Sequence, residues 1–586
     1  MRLALLLVVA AGCLSIPTKQ QPACKQDSDC NGAGEVCSDG LCWGDPPMGM
    51  FAATLGPPSA STDIVQTEIP ALMIPSNGWL GNVVLEAPVT MSGRVEAYCP
   101  ASMTCSDTSL PATITVTRAP RFAGGPGFHT TVDAQEGIAR GATSFSVGVP
   151  RTHDGDADYV LTIMPDGRAP APPTNGTMSP AEIAPPMRLK LSAPGDLPAM
   201  TFTLGSADAP IIYGTLNDGN SHPLAHYRVV AIGRWDPNES PTEVSTVDYT
   251  TNGSFAITLA SGITGNVEIV ATPYDADVVA PTLHLPNVVP QSAQKTLSAP
   301  PTIGSPVSVA IPITGVAGSG QIAPVAGARV ILSASYNQSL AGSTRADLVA
   351  DVTTGDDGVA HLTLLDGAAF ASGYSLRVIP PVNSTLGVVY DRAWTLDQNG
   401  AEVRLAPRIA IRGTVLDTAG DPVANASVTA HPATRFEWSL IPAAQDFVTQ
   451  IPVPTAVSAG NGDFVVWVDP FIGTVWGTYD LAIEPAAGDN VPSWTVTNID
   501  IPRAGQTSAA VGQVTVPAAA NIHGLLTDPA GNPVAGGELR VFSLGGDTSA
   551  CDATMYHPTS CVIPALQVGH GASDADGTVR LTLPRP

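Results

Sequence analysis

Apolar and polar residues alternate in short runs along most of this chain, with clusters of Gly, Pro, Asn and Asp between the runs. Asn252-Gly253-Ser254-Phe255-Ala256-Ile257-Thr258-Leu259 sets the pattern. A turn glycine leads into strict alternation, which places Phe255, Ile257 and Leu259 on one face of a strand. The same block returns from Gly358 to Leu364, from Gly462 to Val468 and from Gly577 to Leu583.

Two further blocks keep a fixed order around it. The one that precedes it reads Gly, eight residues, then Pro-[Val/Leu]-Ala, at Gly214 to Ala225, Gly315 to Ala326, Gly413 to Ala424 and Gly524 to Ala535. Its interior, such as Asp417-Thr418-Ala419-Gly420-Asp421, holds the residue types that reverse a chain, so it predicts strand, hairpin turn, strand. The one that follows reads aromatic or aliphatic, x, aliphatic, x, apolar, x, Pro, at Tyr159 to Pro165, Val267 to Pro273, Tyr374 to Pro380 and Tyr479 to Pro485. Proline removes a ladder donor and ends the strand. Ordered blocks recurring at roughly 100 residues predict tandem all-β sandwiches.

The expected organisation is a divergent first sandwich with linker over 45–205, then sandwiches over 206–310, 311–407 and 408–518, and a partial fifth over 519–586. In the first copy Cys99 and Cys105 lie in an extra loop ahead of Leu110-Pro111-Ala112, where a disulfide would limit the loop's entropy. The fifth copy has its second block and lacks its third. The expectation there is a truncated or atypically capped copy, the alternative being a sheet edge open to a partner's strand. Cys551 and Cys561 form a further candidate pair.

The order Gly…Asp-x-x-Gly-x-Pro-Val-Ala, then Asp/Asn-Gly-x-apolar, then Tyr-x-Leu-x-Val-x-Pro resembles carboxypeptidase regulatory-like domains over roughly Pro88 to Pro586. The resemblance implies transthyretin-like, Ig-type β-sandwiches with a carbohydrate-binding-like fold. It carries no peptidase chemistry, because that family's domain is a non-catalytic attachment.

The N-terminus adds a destination. After Met1-Arg2 an apolar run from Leu3 to Ala11 is far short of the ~20 residues that span a bilayer, and reads as a secretory signal over 1–12. Ala10-Ala11-Gly12-Cys13 resembles a bacterial lipobox, with Ala10 where that family prefers Leu. The resemblance implies lipidation of Cys13, a lipidated linker over 13–23 and, with Leu14 rather than Asp next, an outer-membrane or surface location. An ordinary signal peptide without lipidation is the alternative. Of nine cysteines, Cys13 alone has no local partner. Cys24, Cys30, Cys37 and Cys42 make a module over 24–44 too small for a hydrophobic core, so two disulfides must hold it. Their pairing stays open. The spacing resembles short Dickkopf-like segments, and a zinc site is the competing reading of four cysteines.

Composition narrows the function. The net charge of −25 argues against nucleic acid, which rewards clustered Lys and Arg, and no later apolar stretch approaches a membrane span. No His-Glu-x-x-His or Gly-x-Ser-x-Gly motif occurs. His222 and His226 flank a proline in a turn, and Asp154, Asp156 and Asp158 open like a calcium loop but meet Tyr159 and Pro165 where Gly and Glu are required. Both are read as ordinary turns, and no metal or cofactor is expected. Four tryptophans, Trp438, Trp467, Trp476 and Trp494, fall in the fourth sandwich. Trp467 takes the outward register position of Thr258, Thr363 and Thr582, where it could stack on a sugar or anchor a partner. Packing under a neighbouring loop is the alternative.

The sequence thus predicts a non-enzymatic, lipid-anchored envelope protein that makes structural or adhesive contacts. Its partner would be a glycan or an envelope protein. A carbohydrate-binding surface protein and an accessory subunit of a secreted hydrolase are the alternatives.

Overall fold

The computed structural model describes residues 24–585, apart from 31–34, 39–40, 45–48, 60, 100–107, 124, 137–142, 169–170, 172–179, 219–220, 238, 276–278, 299–303, 317–320, 338–343, 383, 487–488, 490, 502–507 and 545–565. Cys13 with the signal and linker, Cys105, Cys551 and Cys561 therefore lie outside the described residues.

The chain is all-β, a short disulfide-rich module followed by β-sandwiches. Each sandwich is built around one strand that carries the first-block glycine or its counterpart. That strand has an antiparallel neighbour on one side, supplied by the alternating block, and a parallel neighbour on the other. Val89–Ala97 lies between Thr143–Val149 and the parallel Met200–Leu204. Ile211–Asn217 lies between Ser254–Thr258 and Ala293–Ser298. Pro306–Val316 lies between Val359–Leu365 and Val403–Leu405, and Ile409–Leu416 lies between Asp463–Val468 and Ser508–Thr515. The alternating residues behave as the period of two requires: Phe255, Ile257, Leu259, Phe464, Val466 and Val468 are all buried.

The opposing sheet of each sandwich contains the proline-terminated strand. Examples are Tyr374–Ile379 beside Arg329–Asn337 and Val389–Trp394, and Thr478–Glu484 beside Ser427–Pro432 and Trp494–Asp500. The apolar faces of the two sheets meet in separate cores spanning Val89–Leu204, Ile212–Leu297, Val309–Leu405 and Ile409–Val516, with Ala346 joining the second, and Ile379 and Val388 joining the last.

The fifth sandwich corrects the expectation for both ends of the chain. Ala518–Thr527 pairs antiparallel with Thr578–Arg585, and its parallel neighbour is Trp79–Val84. In the facing sheet Glu538–Ser543 lies between Leu566–Ala572 and Phe51–Gly56, which pairs in turn with Thr67–Leu72. Residues 51–84 therefore provide the three strands that follow the alternating block in the other sandwiches, and they do not belong to a sandwich over 45–205. The cause is apolar patterning: Phe51, Ala53, Leu55, Ile64, Val83 and Leu85 share one core with Ala520, Ile522, Leu539, Val541, Leu581 and Leu583. Phe51-x-Ala53-x-Leu55-x-Pro57 is the missing third block. It escapes a search for ordered blocks because it precedes every first block.

The chain thus leaves this composite sandwich at residue 85, passes through four sandwiches and returns to it at residue 518. The small module, closed by Cys24–Cys37 and Cys30–Cys42, docks on the same sandwich. Trp43 packs on His523 with ring centroids 3.9 Å apart, the Gly44 amide donates to the Asn521 carbonyl, and Arg585 pairs with Glu35.

Candidate interaction surface

The four tryptophans of the fourth sandwich sit on four different elements. Trp467 lies on Asp463–Val468 opposite Ala410, half-buried between the inward-facing Val466 and Val468. Trp476 lies in a two-residue strand opposite Phe471, edge-on to that ring at 5.6 Å. Trp438 is 48% exposed on the short helix Thr434–Ser439, which packs on the Trp476 strand. Trp494 opens the edge strand of the other sheet. It stands opposite the buried Ile483 and so on the core side of its strand, yet is 38% exposed. Trp467 and Trp494 belong to opposed sheets, so they cannot form one stacking platform.

The other polar candidates are engaged locally. Asp218 bonds both the His222 ring at 2.9 Å and the His222 amide, whereas the His226 ring lies 5.7 Å from that of Tyr274. Asp156 bonds Arg121 at 2.9 Å and the His153 amide. Cys24, Cys30 and Cys42 cluster within 4.8 Å, but as disulfide sulfurs they offer no thiolate to a metal. Cys99 is disulfide-bonded. Among the described residues, no helix is long and apolar enough to cross a membrane.

Buried ion pairs lie instead at or beside the places where one sandwich meets the next. Between the composite and the first sandwich, Arg118 and Glu68 form a 3.1 Å pair with side chains 2% and 1% exposed. Arg121 donates to the Glu68 carbonyl, Gln66 to the Gly127 carbonyl, and Phe122 packs with Phe542 and Ala52. Burial holds the Glu68 carboxyl above the usual carboxylate range, and Arg118 opposes that shift. Between the first and second sandwiches, Arg188 forks onto Glu239, Arg168 pairs with Glu243 at 3.1 Å, and Tyr249 donates to Glu182. Burial lowers Arg168 to about 10.

The second and third sandwiches share a continuous sheet through Thr282–Asp347, Leu283–Ala346 and His284–Arg345. There His284 lies between Glu268 at 2.9 Å and Asp347 at 3.2 Å. Its hydrogen bond holds Glu268 below the ordinary range. Between the third and fourth sandwiches Asp469, paired with Arg408, accepts from the Val388 amide at 2.9 Å, while Tyr390 stacks on Phe447. Sequence reasoning missed these joints because each partner comes from a different repeat, and nothing in the spacing of either marks it.

No family model matches the chain, and no curated protein matches it. Solved structures give partial likenesses. The Bacillus anthracis TIE protein aligns at 11% identity over 73% of this chain and 74% of its own, with a TM-score of 0.14. A streptococcal ancillary pilin aligns at 10% identity over 52% of this chain and 99% of its own, with a TM-score of 0.16. The full-length major pilin RrgB of Streptococcus pneumoniae aligns at 9% over 72% and 100%, with a TM-score of 0.11. A 9R-lipoxygenase from Cyanothece aligns at 16% over 19% of this chain, which spans 17% of that enzyme's length, with a TM-score of 0.11.

Proposed function

We propose that the protein is a non-enzymatic cell-surface scaffold, a carboxypeptidase regulatory-like array tethered through a lipidated Cys13, which makes structural or adhesive contacts in the envelope. The observation that carries this reading is where the buried ion pairs lie. Arg118–Glu68, Arg168–Glu243 and His284–Asp347 each join one sandwich to its neighbour, and Asp469, paired with Arg408, accepts the Val388 amide across the next joint. Burial and pairing hold such groups in one geometry, which suits a body whose task is to keep surfaces in place. The lipid tether rests on the lipobox resemblance of Ala10 to Cys13. The test is the intact mass of protein from the envelope of a bacterial host, beside Cys13→Ala. The reading expects a mature chain that begins at Cys13 with added acyl mass and loses membrane association in the variant. A soluble, unacylated chain would remove the tether.

A second reading, glycan binding, is favoured by the outward register of Trp467. It expects binding on a glycan array that Trp467→Ala abolishes without a change in melting temperature. Undiminished binding in that variant would remove Trp467 from the proposal.

A further inference from the structure

The composite sandwich is assembled from two pieces that lie 432 positions apart at their nearest, from Glu86 to Ala518. The first piece, residues 51–86, has no core of its own. It consists of the hairpin Phe51–Gly56 with Thr67–Leu72 and the strand Trp79–Val84, whose ladder partner is Ala518–Thr527. An isolated two-stranded hairpin is marginal in water. The second piece, residues 518–585, keeps the ladders Ala518–Thr527 with Thr578–Arg585 and Glu538–Ser543 with Leu566–Ala572. Without the first piece, Glu538–Ser543 exposes a whole edge, and Leu539, Val541, Ile522 and Leu581 lose Phe51, Ala53, Leu55, Val83 and Leu85. Each piece therefore has an exposed apolar face and an unpaired strand edge until it meets the other.

Nothing in that meeting requires the two pieces to belong to one chain. The six register pairs from Phe51 with Ser543 to Gly56 with Glu538, the parallel ladder and the core are contacts between two separate pieces, and a second copy carries the same two pieces. Exchange of an identical element is a low-cost route to a dimer. We propose that two copies of this chain associate by exchanging residues 51–86 reciprocally, each copy's N-terminal strands completing the other's C-terminal sandwich. Reciprocal exchange leaves neither edge open, whereas one-way exchange would leave an unpaired edge at each end. Closure within one chain has the advantage of effective concentration, so the exchanged form grows as chain concentration rises. This partner is a second copy of the chain and is independent of the envelope reading above.

The test uses two full-length variants at one register pair on the face of the sheet away from its core, Thr54→Cys at a buried position and Arg540→Cys at an exposed one. The two chains, with native disulfides intact, are denatured, mixed, refolded together and oxidised mildly. The proposal expects a disulfide-linked species of twice the chain mass containing one of each variant, its share rising with total concentration. It also expects little of that species when either variant is refolded alone. The control is the double variant at high dilution, which should close its own disulfide. If the control closes and the mixture gives no linked dimer at any concentration, the exchange is overturned.

Discussion

Four buried hydroxyls do the same work in four sandwiches. Thr250, Thr354, Ser458 and Ser573 donate to the carbonyls of Leu224, Val325, Val423 and Val534, and accept the amides of Tyr227, Ala328, Ala426 and Gly537. Each ties the Pro-[Val/Leu]-Ala turn to the segment that enters the alternating block. Ser458→Ala would strand a buried carbonyl and a buried amide, at a cost of ~1–3 kcal/mol; a chemical-denaturation curve of the variant measures it. The inward side of each alternating block was readable from the period of two. The hydroxyls were not, because their role exists only once the turn folds back over them. Buried phenols add a pH dependence. Tyr159, Tyr374 and Tyr479 donate to the carbonyls of Pro150, Leu365 and Asp469, and burial pushes each phenol above its usual value. The folded state keeps these protons where the unfolded chain releases them. Stability should therefore be insensitive to them at neutral pH and fall above about pH 10, the ordinary tyrosine value. Tyr479→Phe should make that alkaline decline shallower while costing ~0.5–1.5 kcal/mol at neutral pH for the lost hydrogen bond.

At the scale of the element, the strand that ends in Pro57 shows how a pattern can be present and still be misassigned. Phe51, Ala53 and Leu55 carry the same inward spacing as Tyr374, Leu376 and Val378, and both sets are buried. Phe51 has no hydroxyl to reach back to the end of the alternating strand. In this sandwich that strand, Thr578–Arg585, belongs to the other end of the chain. Local sequence specifies the strand, and only the far end of the chain specifies its partner. Leu55→Ala should destabilise the composite sandwich by ~2–5 kcal/mol through transfer and cavity terms, leaving the other four cores unchanged. Hydrogen exchange resolves the two outcomes. Faster exchange confined to the strands around Leu539 and Leu581 is the expected result, and uniform loss of protection would mean the sandwiches unfold as one unit.

For the whole molecule, the consequence is a closed circuit. Repetition in the sequence implied an open row of sandwiches with a deficient last member, and the row instead begins and ends in one sandwich. The disulfide module sits on that same sandwich through Trp43, Gly44 and Glu35. The array was legible because alternation and turn residues are local features of each repeat. The closure and the joints were not, because they depend on contacts such as Arg118–Glu68 and Leu55–Leu539 between residues far apart in the chain. Breaking the first of these joints by removing one buried partner should cost ~3–5 kcal/mol.

The most direct test of the closed circuit is a single disulfide across it. Thr54 and Arg540 are register partners, and directly opposed strand residues lie within the Cα separation that a disulfide spans. The Thr54→Cys/Arg540→Cys chain, kept at high dilution and oxidised without denaturation, should lose both new thiols and remain a monomer with altered mobility on a non-reducing gel. Two thiols that stay free and reactive in the folded protein would contradict the composite sandwich and, with it, the closed path of the chain.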